Sequence, residues 1–99
     1  MTVNKTKNGE KTTLKLSGRL DTTTAPQLQE VLIPEFDSAK QVELDFAELV
    51  YVSSAGLRVL LIGQKAAKAK GGQFTVANVS EEIMEVFAMT GFAEMLTIV

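Results

Sequence analysis

Apolar and polar positions alternate early in the chain. From Thr12 to Ser17, Leu14 and Leu16 lie on one face and Thr13 and Lys15 on the other, the period-two pattern of a half-buried strand. Asn8-Gly9 just before it is a two-residue hairpin signal. It pairs Val3–Lys7 with Lys11–Gly18 as antiparallel neighbours and leaves residues 18–21 (GRLD) as the exit from the sheet. Thr24, followed by Ala25 and Pro26, matches a helix N-cap with proline in the first turn, where its missing N–H costs little. Leu28, Val31 and Leu32 repeat at three and four on the helix that follows, and Pro34 ends or distorts it.

Val42, Leu44 and Phe46 alternate with Glu43 and Asp45, which predicts a strand over residues 41–46 and a short loop after it. Leu49–Val52 is wholly apolar. Residues 53–56 (SSAG) then introduce the longest helix of the chain, which runs on to Lys70, with Gly71 as its C-cap. Its first half is apolar all round and its second half rich in lysine and alanine, so the N-terminal end is expected to be buried and the C-terminal end solvated. Phe74, Val76 and Val79 predict a fourth strand. Ser80 caps a helix through Ile83, Val86 and Phe87 that Gly91 closes, and Met95–Val99 reads as a last strand.

The sum is a β-β-α-β-α-β-α-β order. Strands alternating with helices after an opening hairpin predict a mixed, largely parallel β-sheet covered by helices, in one α/β domain over residues 1–99. Ninety-nine residues with 45% hydrophobic and 22% charged side chains suit a single domain that fills its own core. No repeat, linker or low-complexity tract interrupts it.

Charge and composition remove several chemistries. A net charge of −2 supplies no basic field for a phosphate backbone, so nucleic acid is not the expected partner. The chain has no cysteine and no histidine. Thiolate sites, disulfides and a Ser/His/Asp triad are therefore impossible, and no metal or cofactor set is expected. Gly71-Gly72 follows a helix instead of preceding one, so it is no phosphate cradle. Residues 1–7 (MTVNKTK) carry no apolar stretch, and no run nears the roughly 18 apolar residues of a membrane helix. A cytoplasmic protein without membrane insertion is the expectation.

The informative stretch is residues 51–57 (YVSSAGL), where two hydroxyls and two tiny residues stand between an apolar strand and a helix. The first amides of a helix lack internal partners and face the positive end of the macrodipole, so such a turn suits an anion. A phosphate on Ser54 or Ser53 would add about −1.5 to −2 charges there. It would disrupt docking on an apolar or acidic surface without unfolding the domain. The plainer reading is that the serines only cap the helix, worth about 1 kcal/mol.

Three segments carry a resemblance to the STAS domain family, in particular to bacterial anti-sigma factor antagonists (anti-anti-sigma factors). Residues 18–21 (GRLD) resemble that family's exit from the second strand, residues 44–46 (LDF) its Leu-Asp-Leu strand, and residues 52–58 (VSSAGLR) its switch turn. The resemblance implies a phosphoprotein that regulates transcription by partner switching. Its unphosphorylated form would bind an anti-sigma factor that is a serine kinase of the GHKL type, freeing a sigma factor. Serine phosphorylation would end that binding, and a PPM-type phosphatase would restore it.

Many members carry the phosphorylated hydroxyl directly before glycine, where this chain has Ala55 before Gly56. Alignment with members reading Asp-Ser-Ala-Gly carries the phosphosite onto Ser54, with Ser53 the second choice. Asp21, Thr23, Ser53, Ser54, Ala55, Gly56 and Arg58 are then the expected partner-binding residues. Asp21 and Asp45 are both expected where strands leave the sheet at the Ser54 end, one of them free to cap Thr23 or Thr24, and Asp45 bonding loop amides.

Two rival functions remain. One is a STAS subunit of a lipid transporter or sensory complex, with no phosphorylation switch. The other, a small hydrolase or nucleotide-binding enzyme, lacks an assembled base. Arg58, Lys65, Lys68 and Lys70 give the long helix a basic, solvated side, and Met84, Met89 and Met95 with Phe87 and Phe92 are expected mostly to fill core.

Overall fold

A computed structural model describes residues 1–99. The strands are β1 (Thr2–Asn8), β2 (Lys11–Leu20), β3 (Gln41–Val52), β4 (Gln73–Ala77) and β5 (Thr97–Ile98). The helices are α1 (Ala25–Glu35), α2 (Ser54–Lys70), α3 (Glu81–Thr90) and α4 (Phe92–Met95). The sheet has the order β1-β2-β3-β4-β5, with β1 antiparallel to β2 and every later pair parallel. Each parallel step needs a crossover, and the helices supply it.

The hairpin turns at Asn8-Gly9 as the sequence predicts, with Asn8 opposite Lys11 and Gly9 at φ 66°. Alternation on β2 and β3 then decides which face is covered. Thr12, Leu14 and Leu16 of β2 and Val42, Leu44 and Phe46 of β3 are buried. The intervening Lys11, Thr13, Lys15, Gln41, Glu43 and Asp45 are only partly buried, so the helices cover one face and leave the other polar. On that open face Lys15 meets Glu48 at 3.0 Å and Lys11 meets Glu43 at 3.5 Å.

The predicted loop after Phe46 is absent: β3 continues to Val52. It does so by bulging twice. Between the pairs Lys15↔Asp45 and Ser17↔Glu48, and again between Gly18↔Leu49 and Arg19↔Tyr51, β3 uses one residue more than β2. Each extra residue rotates the strand out of alternation, so the inward side chains after Phe46 are Leu49 and Val52, three apart, while Val50 and Tyr51 face solvent.

At the other end of the chain, Gly91 closes α3 but a further helical turn, α4, follows it. The last strand therefore shrinks to Thr97–Ile98. Met89 stands 83% exposed, whereas Met84 and Met95 pack against the core with Phe92. Pro34 lies inside the last turn of α1, whose C-cap is Phe36. The first half of α2 is not buried all round, because Ser54 and Arg58 face solvent while Leu57, Val59 and Leu60 are buried.

One carboxylate is built into the core boundary. Glu35, at the end of α1, is 6% exposed. It receives Lys5 Nζ at 2.7 Å and the Thr12 hydroxyl at 3.0 Å, with Lys7 Nζ at 3.5 Å. The Lys5 hydrogen bond above all, with Thr12 and Lys7, holds its carboxyl below the usual range against the opposing effect of burial. A depressed carboxyl contributes stability above its unfolded pKa and loses it as pH falls through the folded one. Glu35→Gln is therefore expected to lower unfolding free energy by about 1–3 kcal/mol at pH 7. The gap should narrow as pH drops below the ordinary value of 4.5. Urea unfolding of both chains from pH 7 to pH 3 measures it, and a constant gap would contradict this account.

Candidate functional site

The strand–helix turn at residues 53–56 and the β2–α1 connection at residues 21–24 meet at one end of the β2–β3 pair. Leu20 pairs with Val52, and Ser53 N–H donates to the Leu20 carbonyl at 2.9 Å. This ties Asp21, the next residue, to the neighbourhood of the serines.

Ser53 is the N-cap of α2. Its backbone is extended (φ −92°, ψ 175°) and its hydroxyl accepts from Gly56 N–H at 3.3 Å. That bond satisfies one orphan amide of the first turn. Ser54 is the first helical residue and exposed. Ala55 is half-buried and Gly56 buried. A Cβ at Gly56 would lie 2.7 Å from Leu20 Cγ and 3.1 Å from the Leu20 carbonyl oxygen, so only glycine lets the helix come this close to β2.

Asp21, not Thr24, organises the start of α1. Its Oδ1 accepts from the N–H groups of Thr23 (3.0 Å) and Thr24 (3.2 Å) and from the Thr23 hydroxyl (2.8 Å). Thr24 occupies the N-cap position but makes no side-chain cap bond. Its hydroxyl instead accepts from Asp21 N–H at 2.8 Å and donates to the Arg19 carbonyl at 2.8 Å, closing the loop on itself. Hydrogen bonding to its charged form, first from the Thr23 hydroxyl and then from the two amides, keeps the Asp21 carboxyl below the usual carboxylate range.

Asp45 lies elsewhere. It pairs with Lys15 and Ala77 inside β3, seven strand positions before Val52 or roughly 20 Å along the strand. The sequence reading put it at the exit of its strand because the alternation fails after Phe46; the bulges carry β3 past it. Its Oδ1 accepts from Asn78 Nδ2 and from Ala47 N–H, both at 2.9 Å. The Asn78 bond foremost lowers its pKa. Asp45 thus ties the first bulge to the end of β4.

Other residues at this end carried no expected role in the sequence, although Arg19 and Tyr51 fall inside its two motifs. Arg19 stacks over the Tyr51 ring at 4.2 Å and brings Nε within 3.8 Å of Asp21 Oδ2. Val50, 65% exposed, stands beside Tyr51. Their sequence signal is the three-residue spacing from Phe46 to Leu49 to Val52, which implies that the residues between turn outward. Thr22, Ala25, Pro26, Gln29, Ala55 and Arg58 line a cleft of about 340 Å³ between α1 and α2. Arg58 is exposed and forms no ion pair. No three acidic side chains converge as a metal site, and no helix is long and apolar enough to cross a membrane.

The arrangement sets one exposed hydroxyl, that of Ser54, at the start of a helix, with the hydrogen-bonded Asp21 loop at the same end of the strand pair and the unpaired Arg58 on the same helix. No base is aimed at either serine.

Known proteins resemble the whole of this architecture. A sequence model described as "Mlab, STAS domain" matches residues 3–98. The anti-sigma-B factor antagonist of Bacillus subtilis is 28% identical over 85 residues, covering 86% of this chain and 78% of that protein. Its counterpart in Staphylococcus epidermidis is 31% identical over 84 residues, covering 84% and 78%. Among solved structures, the Bacillus cell fate determinant SpoIIAA in its phosphorylated form superposes with a TM-score of 0.78 at 18% identity, covering 99% of this chain and 91% of that one. Its unphosphorylated form gives 0.84, covering 99% and 88%.

Proposed function

The chain belongs to the STAS domain family, and we propose that within it the protein is an anti-sigma factor antagonist and not an enzyme. In its unmodified form it binds an anti-sigma factor, a serine kinase of the GHKL type, and so releases a sigma factor in the cytoplasm. The kinase passes the γ-phosphoryl of ATP to Ser54 Oγ, which loses its proton as ADP leaves, and the complex parts. A PPM-type phosphatase hydrolyses the ester. The naming of relatives as anti-sigma-B factor antagonists over most of the chain supports the first half of this reading.

One observation carries the second half. Ser54 is exposed at the first position of α2, while the neighbouring Ser53 hydroxyl is occupied by Gly56 N–H. A phosphate on Ser54 leaves that cap intact, and the negative group sits at the favourable end of the helix dipole. Asp21, Thr23, Ala55 and Arg58 complete the proposed partner-contact surface, with Gly56 buried beneath it where it seats the helix against Leu20, and Ser53 is the second candidate for modification.

Mass spectrometry after incubation with the cognate kinase and ATP should find one phosphoryl group on Ser54. Ser54→Asp should weaken kinase binding at least tenfold by calorimetry while leaving the thermal midpoint within about 2 °C. Normal binding by that variant, or no phosphoryl group on either serine, would overturn the switch.

The Ser53 cap also favours a second reading, in which both serines serve the helix alone and the chain is a STAS subunit of a lipid transporter or sensory complex. A pull-down that recovers a membrane ATPase instead of a soluble kinase selects it.

A further inference from the structure

Ser54 and Arg58 are four residues apart on the solvent side of α2, both exposed. Side chains at this spacing are neighbours on a helix surface, and an acid placed N-terminal to a base is the better order. Arg58 has no carboxylate of its own. The acid in the β2–α1 connection, Asp21, is already engaged by Thr23, Thr24 and Arg19, and Glu30 of α1, which lines the adjoining groove with Pro26, Gln29 and Ile62, forms no ion pair with Arg58. Arg58 also lines the cleft between α1 and α2 together with Thr22 and Gln29, so a chain docked in that cleft would meet it.

We propose that Arg58 is the residue through which a phosphoryl group on Ser54 is read: free in the unmodified chain for a carboxylate of the partner, and captured after modification by the phosphate one helical turn before it. This rests on Ser54 being the modified hydroxyl. Phosphorylation then does two things at once. It adds negative charge, and it withdraws the cation that a partner carboxylate would use, because a planar guanidinium binds phosphate oxygens in pairs. Ser53 is five residues from Arg58 and lies outside this geometry, so the capture is specific to one serine.

The test needs no kinase. The full chain is made with phosphoserine incorporated at position 54, and its phosphate is titrated by phosphorus NMR. The second ionisation of a phosphoserine lies near pH 6. Arg58→Gln should raise it by about 0.3 unit or more, with Arg58→Lys between, and the Arg58 Nε–H resonance of the unsubstituted chain should move with the same midpoint. With phosphoserine at position 53 the Arg58→Gln change should have no effect.

A phosphate that titrates alike with and without Arg58, an Nε–H resonance indifferent to it, or equal shifts from both serine positions would each overturn the proposal. Absence of Ser54 phosphorylation by the kinase is a separate result. It would remove the proposed switch while the titration still decides whether Arg58 takes the phosphate.

Discussion

Phe46→Ala is expected to lower the unfolding free energy by about 3–5 kcal/mol, enough to shift the midpoint of a domain this size by roughly 15 °C or more. Phe46 is fully buried. Its ring lies 6.4 Å from that of Phe87 on α3, which in turn stacks with Phe92 at 6.5 Å. Removing it forfeits the transfer free energy of the ring and leaves a void that β3, held on both sides in the sheet, cannot close. The position adds to the cost, since Phe46 lies within the first bulge, between Asp45 and Glu48, where its ring is the inward anchor of the strand. Thermal and urea unfolding of the variant measure the loss. Phe46→Leu should recover more than half of it, and a loss below about 1 kcal/mol for alanine would mean that α3 does not bear on this ring.

The second large effect is expected at Gly56→Val. Ordinarily a glycine inside a helix is a liability of about 1 kcal/mol relative to alanine, so replacing it should help. Here the sign reverses. The added Cβ must occupy space already filled by Leu20, which is fully buried and whose carbonyl accepts from Ser53 N–H. Overpacking of this kind costs about 1–3 kcal/mol for a first methyl and more for a branched side chain, while valine gains little helix propensity.

The helix start must move away from β2, and the serines with it. Gly56→Val should thus lose about 3 kcal/mol and disturb partner binding, with Gly56→Ala intermediate. Leu20→Ala in the same chain should relieve part of the Gly56→Val cost, measured as a favourable coupling in a double-mutant cycle. Strictly additive losses would contradict the contact.

The parts of the fold that periodicity could reveal are the ones whose cause is local. The hairpin followed from Asn8-Gly9 between alternating segments. The caps Ser53, Gly71 and Ser80 followed from residue types whose preference comes from their own backbone neighbours. The run of β3 past Phe46 was illegible as a strand because bulges replace alternation with a spacing of three, and α4 was too short to repeat.

Contacts between residues distant in sequence were also out of reach. Nothing in the chain pairs Glu35 with Lys5 and Lys7, or Asp45 with Asn78, until the sheet brings them together. At the site itself the serines, Gly56 and Arg58 were visible in one short motif, and Asp21 in another. The outward turn of Val50 and Tyr51, and the exchange of capping roles between Thr24 and Asp21, came only with the backbone path.

The helix-free face of the sheet, described above only by its charges, also provides a practical handle. Because the chain lacks cysteine, a single thiol introduced at exposed Asn4, whose neighbour on β2 is Lys15, would be unique. A dye or a tether attached there leaves the molecule on the side away from its helices. A surface-bound or fluorescent copy could then meet incoming proteins with the serine turn unencumbered, and immobilisation would leave its binding surface accessible.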